Sequence, residues 1–184
     1  VATGYLPIKI NDTLYTVMKG SVENGVNTYV VENTMDLSAF SSIVDKGATF
    51  EGTVVKLTED ITLPEKNWNP IGDNRTDTAF SGTFDGQNHT ISNFKITKKT
   101  DKDDSNKSSY GFFGNLEGTV KNLTIADATV NSYAYTGALA GRLNQGLIEN
   151  CHAINCNVSN TYWQGGILIG QVNAEGDGVT AVVR

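Results

Sequence analysis

The sequence predicts an all-β chain: a right-handed parallel β-helix, or β-solenoid, of about 4–5 coils, with N-terminal antiparallel strands and one capping α-helix. Three observations predict it. The chain repeats itself, its apolar residues alternate with polar ones inside each repeat, and only one short stretch keeps a helical apolar spacing. Gly114 and Gly141 open two copies, and Leu116 and Leu143 follow two positions later. Val120-Lys-Asn-Leu-Thr-Ile125 matches Ile148-Glu-Asn-Cys-His-Ala153, and Val130 matches Val158. Asn122 and Asn150 are 28 positions apart. A third copy starts at Gly170 with Val172, and an upstream one holds Gly82, Phe84, Ile91, Asn93, Phe94 and Ile96. The period is roughly 28–30 residues. A unit of short strands cannot bury its own apolar face, whereas stacked units bury it continuously. Strands from successive coils then run parallel, and the usual hand of parallel crossovers is right. Asn93, Asn122 and Asn150 align at one bend, where Asn tolerates a left-handed backbone and can bond its stacked neighbours.

In chain order, Tyr5 to Ile10 reads as a strand, Asn11-Asp12 as a turn and Thr13 to Met18 as the answering strand. Glu23-Asn24-Gly25 is a second turn signal, followed by Val26 to Val31. Residues 1–33 are therefore an antiparallel meander. Thr34 is the expected N-cap of a helix over 34–47, with Asp36 in its first turn, Leu37, Phe40 and Val44 as its apolar stripe and Gly47 as its stop. The stripe needs a partner and the first coil needs a lid, so the helix is placed as a cap. Residues 48–184 are the repeats. Ile61 and Leu63 point inward from the first coil and Thr62 outward. Glu65 to Asp77 is a polar excursion holding Trp68 and Pro70, and Thr97 to Ser109 is a charged, protruding loop. The chain opens on Val1 rather than Met and closes on Val182-Val-Arg184 in mid-repeat, which reads as a trimmed segment of a longer solenoid whose neighbouring repeats are its first partners.

Phe80-Ser-Gly-Thr-Phe-Asp-Gly86, Ile91-Ser-Asn-Phe94, Gly111-Phe-Phe-Gly114, Gly137-Ala-Leu-Ala-Gly141 and Gly166-Ile-Leu-Ile-Gly170 resemble the GLUG-motif repeats of bacterial surface proteins, named for a Gly-Leu-variable-Gly run. Related repeats occur in adhesin-like proteins and in non-catalytic regions of secreted IgA-cleaving metalloproteases. The resemblance spans roughly Asp36 to Gly170 and includes Val54 to Leu57, Asp60 to Leu63 and Trp68 to Gly72. It implies a secreted or cell-surface scaffold, extracellular on a bacterium. No His-Glu-x-x-His run is present, so the peptidase activity does not carry over. Phe after Gly111 and the Ala residues within Gly137–Gly141 depart from the motif as volume changes in the core.

The net charge of −6 argues against nucleic acid and anionic membrane faces as partners. No apolar run reaches the roughly 18 residues of a membrane span. The two cysteines, Cys151 and Cys156, align with Leu123 and Ala128. They read as small core thiols, with a disulfide across one bend and a two-ligand metal site as the lesser alternatives. Asp101, Asp103 and Asp104 offer carboxylates for calcium, but the Gly and Glu of a calcium loop are missing and a solvated loop is the plainer reading. No cofactor is expected.

Outward columns bear on catalysis. One is expected to read Ser92, Lys121, Glu149 and its neighbour Lys95, Thr124, His152. No two carboxylates align there, so the acid/base pair of a glycosidase is not expected, and Lys121 with Glu149 becomes a surface pair contributing ~0.5 kcal/mol. His152 and His89 read as solvated. Tyr110, Tyr133, Tyr135, Tyr162 and Trp163 all fall just before a coil-opening Gly, so stacking gathers them at one edge. Such an edge either packs its own bends or stacks on sugars or a protein partner. The expected function is a non-catalytic, adhesin-like or stalk module for a host or environmental glycan or protein. The alternatives are a carbohydrate-active β-helix enzyme, lyase or glycosidase, and an accessory region of a secreted protease.

Overall fold

A computed structural model of the chain describes residues 4–64, 66–73, 76–97, 109–174, 176 and 178–184. β1 (Gly4–Ile10), β2 (Thr13–Glu23) and β3 (Val26–Val31) pair antiparallel. Their turns carry residues that accept a left-handed backbone: Asn11 at φ 52°, then Asn24 and Gly25 at 51° and 82°. Two successive positive φ values make the hairpin turn whose twist suits paired strands. β3 next pairs in parallel with β4 (Val54–Leu57), so the meander forms one edge of an eight-stranded sheet.

Between them lies α1 (Thr34–Asp45). Its N-cap is Asn33, one residue before the expected Thr34. Asn33 is extended, at φ −156°, and its Oδ1 accepts the N–H groups of Met35 and Asp36, each at 3.0 Å. Thr34 has instead entered the first turn. Leu37, Phe40, Ile43 and Val44 are buried. Phe40 meets the rings of Phe50, Phe80 and Phe84 at 5.2, 5.3 and 5.7 Å, which packs the helix on an aromatic core.

Beyond the helix, strands from successive repeats lie side by side in parallel. β4, β6 (Thr83–Asp85), β11 (Thr119–Lys121), β16 (Gly146–Glu149) and β20 (Ala181–Val183) form one ladder. A second comprises β5 (Ile61–Thr62), β7 (Thr90–Ser92), β12 (Thr124–Ala126) and β17 (His152–Ile154). A third comprises β8 (Lys95–Thr97), β13 (Thr129–Ser132) and β18 (Asn157–Asn160), and a fourth β10 (Phe113–Leu116), β15 (Ala140–Leu143) and β19 (Ile169–Val172). β9 (Ser109–Tyr110) and β14 (Tyr135–Thr136) form a short fifth. The fold is thus mostly β, with one helix among the described residues and parallel sheets past the meander.

The registers reproduce the sequence alignment of the last copies. Val120 sits between Phe84 and Ile148, Ile125 between Ile91 and Ala153, and Val130 between Ile96 and Val158. Leu116, Leu143 and Val172 form a further column. Val120, Ile125, Val130, Leu116 and Leu143 are fully buried. Each such side chain contributes roughly 1.5–3 kcal/mol of transfer free energy.

The bend asparagines divide differently from the expected single row. Asn93 follows Ser92, which pairs with Ala126, so its counterparts are Asp127 and Asn155. Asn122 and Asn150 belong to the other bend, which in the upstream copy is the longer run Gly86 to His89 between β6 and β7. The spacing from Asn93 to Asn122 mimics one period only because the charged loop after Thr97 lies inside that copy and displaces every later residue. All of these bends still use left-handed backbone: φ is 65°, 52° and 52° at Asn93, Asp127 and Asn155, and 54° and 50° at Asn122 and Asn150. The amide of Asn150 donates to Asn122 Oδ1 at 2.9 Å, and that of Asn122 donates to Asp85 Oδ1 at 3.1 Å. Asn155 donates to Asp127 at 2.6 Å. Asn122→Ala is expected to cost about 1–2 kcal/mol in denaturant unfolding, because Ala pays the left-handed backbone penalty as well as losing the amide. Asn122→Gly loses the amide alone and should unfold at a higher denaturant concentration than Asn122→Ala.

Candidate functional site

The aromatic residues expected at one edge fall into two groups. Tyr110 lies in β9 and is buried, so it supports the edge from within instead of lining it. Tyr135 opens β14 and is also buried, as a ring that packs its own bend would be. The reason is the short β9–β14 ladder: Tyr135 pairs with Ser109 and Thr136 with Tyr110, and this draws both rings into the stack. Tyr133, Tyr162 and Trp163 stay outside it. Tyr162 is 60% exposed and Trp163 38%.

The outer rings are brought together across one rung. Tyr133 and Tyr162 stack at 5.0 Å with their planes 3° apart. Tyr162 meets Trp163 edge-on at 5.4 Å, and Trp163 meets Tyr135 at 5.8 Å. The Trp163 N–H donates to the Tyr133 carbonyl at 3.3 Å, which ties the two bends together. Desolvation, and secondarily the neighbouring Tyr162 phenol, holds the Tyr133 phenol above its ordinary pKa.

Sequence reading missed the fifth member. The Arg142 guanidinium lies over the Tyr135 ring, its Cζ 4.6 Å from the centroid. Arg142 projects from β15 in register with Asn115 and Gln171. Its only signal in the sequence was a cation immediately before Leu143, at a position where the neighbouring copies carry Asn115 and Gln171. A second cleft was also missed. It holds about 490 Å³ and is lined by Met35, Leu63, Pro64, Trp68 and Phe94, with Lys66 at its rim. Trp68 stacks on Phe112 at 5.4 Å, and its indole N–H donates to the Phe112 carbonyl at 3.0 Å, so the ring is fixed in place.

The outward charged column differs from expectation in a way that bears on chemistry. Lys121 pairs with Asp85 on one side and Glu149 on the other, and Lys56 lies beyond Asp85. Ser92 pairs instead with Ala126, and His152 shares its column with Thr124 and Thr90. Two carboxylates therefore do share a column, two rungs or about 10 Å apart. Lys121 lies between them. Its Nζ is 3.4 Å from Asp85, and Arg184 Nε is 2.8 Å from Glu149. Lys121 and Glu149 are adjacent as expected, but the close partner of Lys121 is Asp85. Burial alone would raise the Asp85 pKa. The Asn122 amide, the Gln87 N–H and the Lys121 ammonium outweigh it and hold the group below its ordinary value. That is the opposite of what a general acid near neutral pH requires.

The same shift gives a pH prediction. A carboxylate whose pKa is lower folded than unfolded adds stability above its unfolded value of about 3.9, and that stability is lost as pH falls through the folded value. Thermal unfolding between pH 7 and 2 should show the melting temperature falling below about pH 4, with a smaller fall in Asp85→Asn.

Cys151 and Cys156 are free, half-buried thiols. Burial, the largest cause in each case, raises both pKa values, which disfavours the reactive thiolate. His89 Nδ1 lies 3.1 Å from Asp60 Oδ1. Asp101, Asp103 and Asp104 lie outside the described residues. Among the described residues, no group of three or more His, Cys, Asp or Glu side chains is placed to hold a metal, and no helix is long and apolar enough to cross a membrane.

No family model matches the chain. The chain is similar to Halomucin of Haloquadratum walsbyi, at 33% identity over 159 residues and 80% of this chain. It spans 2% of Halomucin's length. A crystal structure from Bacteroides ovatus named a "putative immunoglobulin A1 protease" covers 90% of this chain and 66% of its own, at 18% identity and a TM-score of 0.44.

Proposed function

We propose that the chain is a non-catalytic module of a secreted or cell-surface repeat protein, a right-handed β-solenoid of about 4–5 coils that displays an aromatic edge to a glycan. Residues 1–33 are its meander, 34–47 its capping helix and 48–184 its coils, built from repeats of the GLUG type. The likeness to a protein named Halomucin supports an extracellular, mucin-like setting. The parallel registers support the solenoid, and the common hand of parallel crossovers supports right-handed winding. Ile154, Ile167, Val182 and Val183 are 43–62% exposed on the last winding, which supports further repeats of a parent chain as the neighbours that cover them.

The observation that carries the binding reading is the outer ring cluster. A stacked Tyr133–Tyr162 pair turned edge-on to Trp163, with Tyr162 60% exposed, leaves aromatic surface facing outward from a fixed frame. Exposed, immobilised rings pack well on the apolar faces of sugars. The test compares the wild type with Tyr162→Ala/Trp163→Ala on a printed glycan panel and in solution titration. The expected result is binding by the wild type, a loss of about tenfold or more in the double variant, and a nearly unchanged melting temperature. Absence of glycan binding by the wild type overturns the reading. A large fall in melting temperature would assign the rings to packing, and detectable cleavage of any polysaccharide would overturn the non-catalytic assignment.

A further inference from the structure

We propose that Arg142 makes this edge selective for acidic glycans, by holding the carboxylate of a uronic-acid or sialic-acid unit whose ring packs on Trp163 and Tyr162. The inference rests on the reading of the edge as a glycan site and adds the chemical class of its ligand. Three observations carry it.

The first is that, among the described residues, the guanidinium has no acidic partner. Lys9, Lys19, Lys56, Lys121 and Arg184 each lie within 4.0 Å of a carboxylate. Arg142 makes no ion pair and no hydrogen bond among the described residues, and its Nε is sealed in without an acceptor. An unpaired, half-buried cation in a chain of net charge −6 is an unbalanced group.

The second is that its register neighbours are neutral. The register neighbours of Arg142 are Asn115 and Gln171. Gln171 Oε1, in the register neighbour, and Asn144 Oδ1, two residues along the chain, also lack partners, so neither has taken up a guanidinium proton. The Asn144 amide is committed to Asn115 Oδ1 at 2.6 Å.

The third is continuity with the aromatic edge. Arg142 Cζ is 4.6 Å from the Tyr135 centroid, Tyr135 is 5.8 Å from Trp163, and Trp163 is 5.4 Å from Tyr162. The guanidinium rests over the Tyr135 ring. A planar fork with spare donors beside exposed rings matches a sugar that carries a planar carboxylate.

The experiment binds the intact chain to an array of uronic-acid, sialylated, sulfated and neutral oligosaccharides. The best acidic ligand is then titrated beside its methyl ester, which keeps the sugar and removes the charge. The wild type should prefer the free acid about tenfold or more, with the preference weakening as salt rises. Arg142→Gln should abolish the preference while binding the methyl ester as the wild type does, and Arg142→Lys should keep part of it because the charge remains without the fork. Equal binding of acid and ester by the wild type, or an undiminished preference in Arg142→Gln, overturns the inference and leaves the glycan site standing. Stronger binding of sulfated than carboxylated sugars overturns the carboxylate assignment. Absence of all glycan binding overturns both readings together.

Discussion

Gly141→Ala is expected to destabilise the fold by about 3 kcal/mol or more. Gly114, Gly141 and Gly170 are the recurring glycines of successive repeats. A Cβ at Gly141 would strike the backbone N of Tyr110, at Gly170 the backbone N of Thr136, and at Gly114 the backbone O of Gly72. Each glycine is where one winding passes directly over main chain of another. Flexible side chains move aside for a methyl group, but backbone held in a parallel ladder on both sides does not. Relief requires β15 to lift away from β9, and this opens the β10–β15–β19 sheet as well. Circular dichroism with urea denaturation measures the loss. An Ala variant within 1 kcal/mol of wild type would show that the windings are not packed this closely. Gly4→Ala is the control, because nothing lies within 4 Å of the added atom.

Phe84→Ala is expected to cost about 3–5 kcal/mol. Phe84 is fully buried and joins the helix to the repeats. Its ring lies 5.7 Å from Phe40 of the helix, 5.7 Å from Phe113 and 6.2 Å from Phe112. Its main chain pairs with Val55 on one side and Val120 on the other. Truncation leaves a cavity where the helix, the first parallel strands and the later repeats meet. These neighbours are other rings and paired strands, so the cavity cannot collapse. Phe84→Leu should recover more than half of the loss. An effect below 1 kcal/mol in Phe84→Ala would mean that α1 and the repeats do not share one core.

The legible parts of the fold were those written in the repeat itself. Val120 and Ile148, Ile125 and Ala153, and Val130 and Val158 pair as their sequence positions implied, because two uninterrupted copies of equal length must stack in register. Columns that cross the charged loop were not legible. Asn93 and Lys95 were aligned by counting residues, and the count was displaced by an insertion whose position only the strand pairing reveals. The same displacement hid the Asp85–Lys121–Glu149 column. The helix was found from its apolar stripe, yet its cap was misplaced by one residue because Asn33 and Thr34 are both good caps and only backbone geometry decides between them.

The candidate site was half legible. An aromatic before each coil-opening glycine was legible in the sequence, and the structure brings the rings of Tyr133, Tyr135, Tyr162 and Trp163 into contact. It did not show which rings face water, since β9 and β14 are too short for their alternation to be read. Arg142 was invisible because its importance lies in lacking a partner. Only the packed structure shows that, among the described residues, its Nε has no acceptor and its register neighbours are neutral.

Consecutive repeats pair as parallel strands. Isotope-edited nuclear Overhauser spectroscopy of the folded chain tests this pairing most directly, through contacts between the backbone protons of Ile125 and those flanking Ala153, and of Val120 and those flanking Ile148. Cross-strand contacts in the parallel pattern are expected at both pairs, with slow amide exchange along the same rungs. Antiparallel contacts, or strong sequential signals with none between these residues, would contradict it.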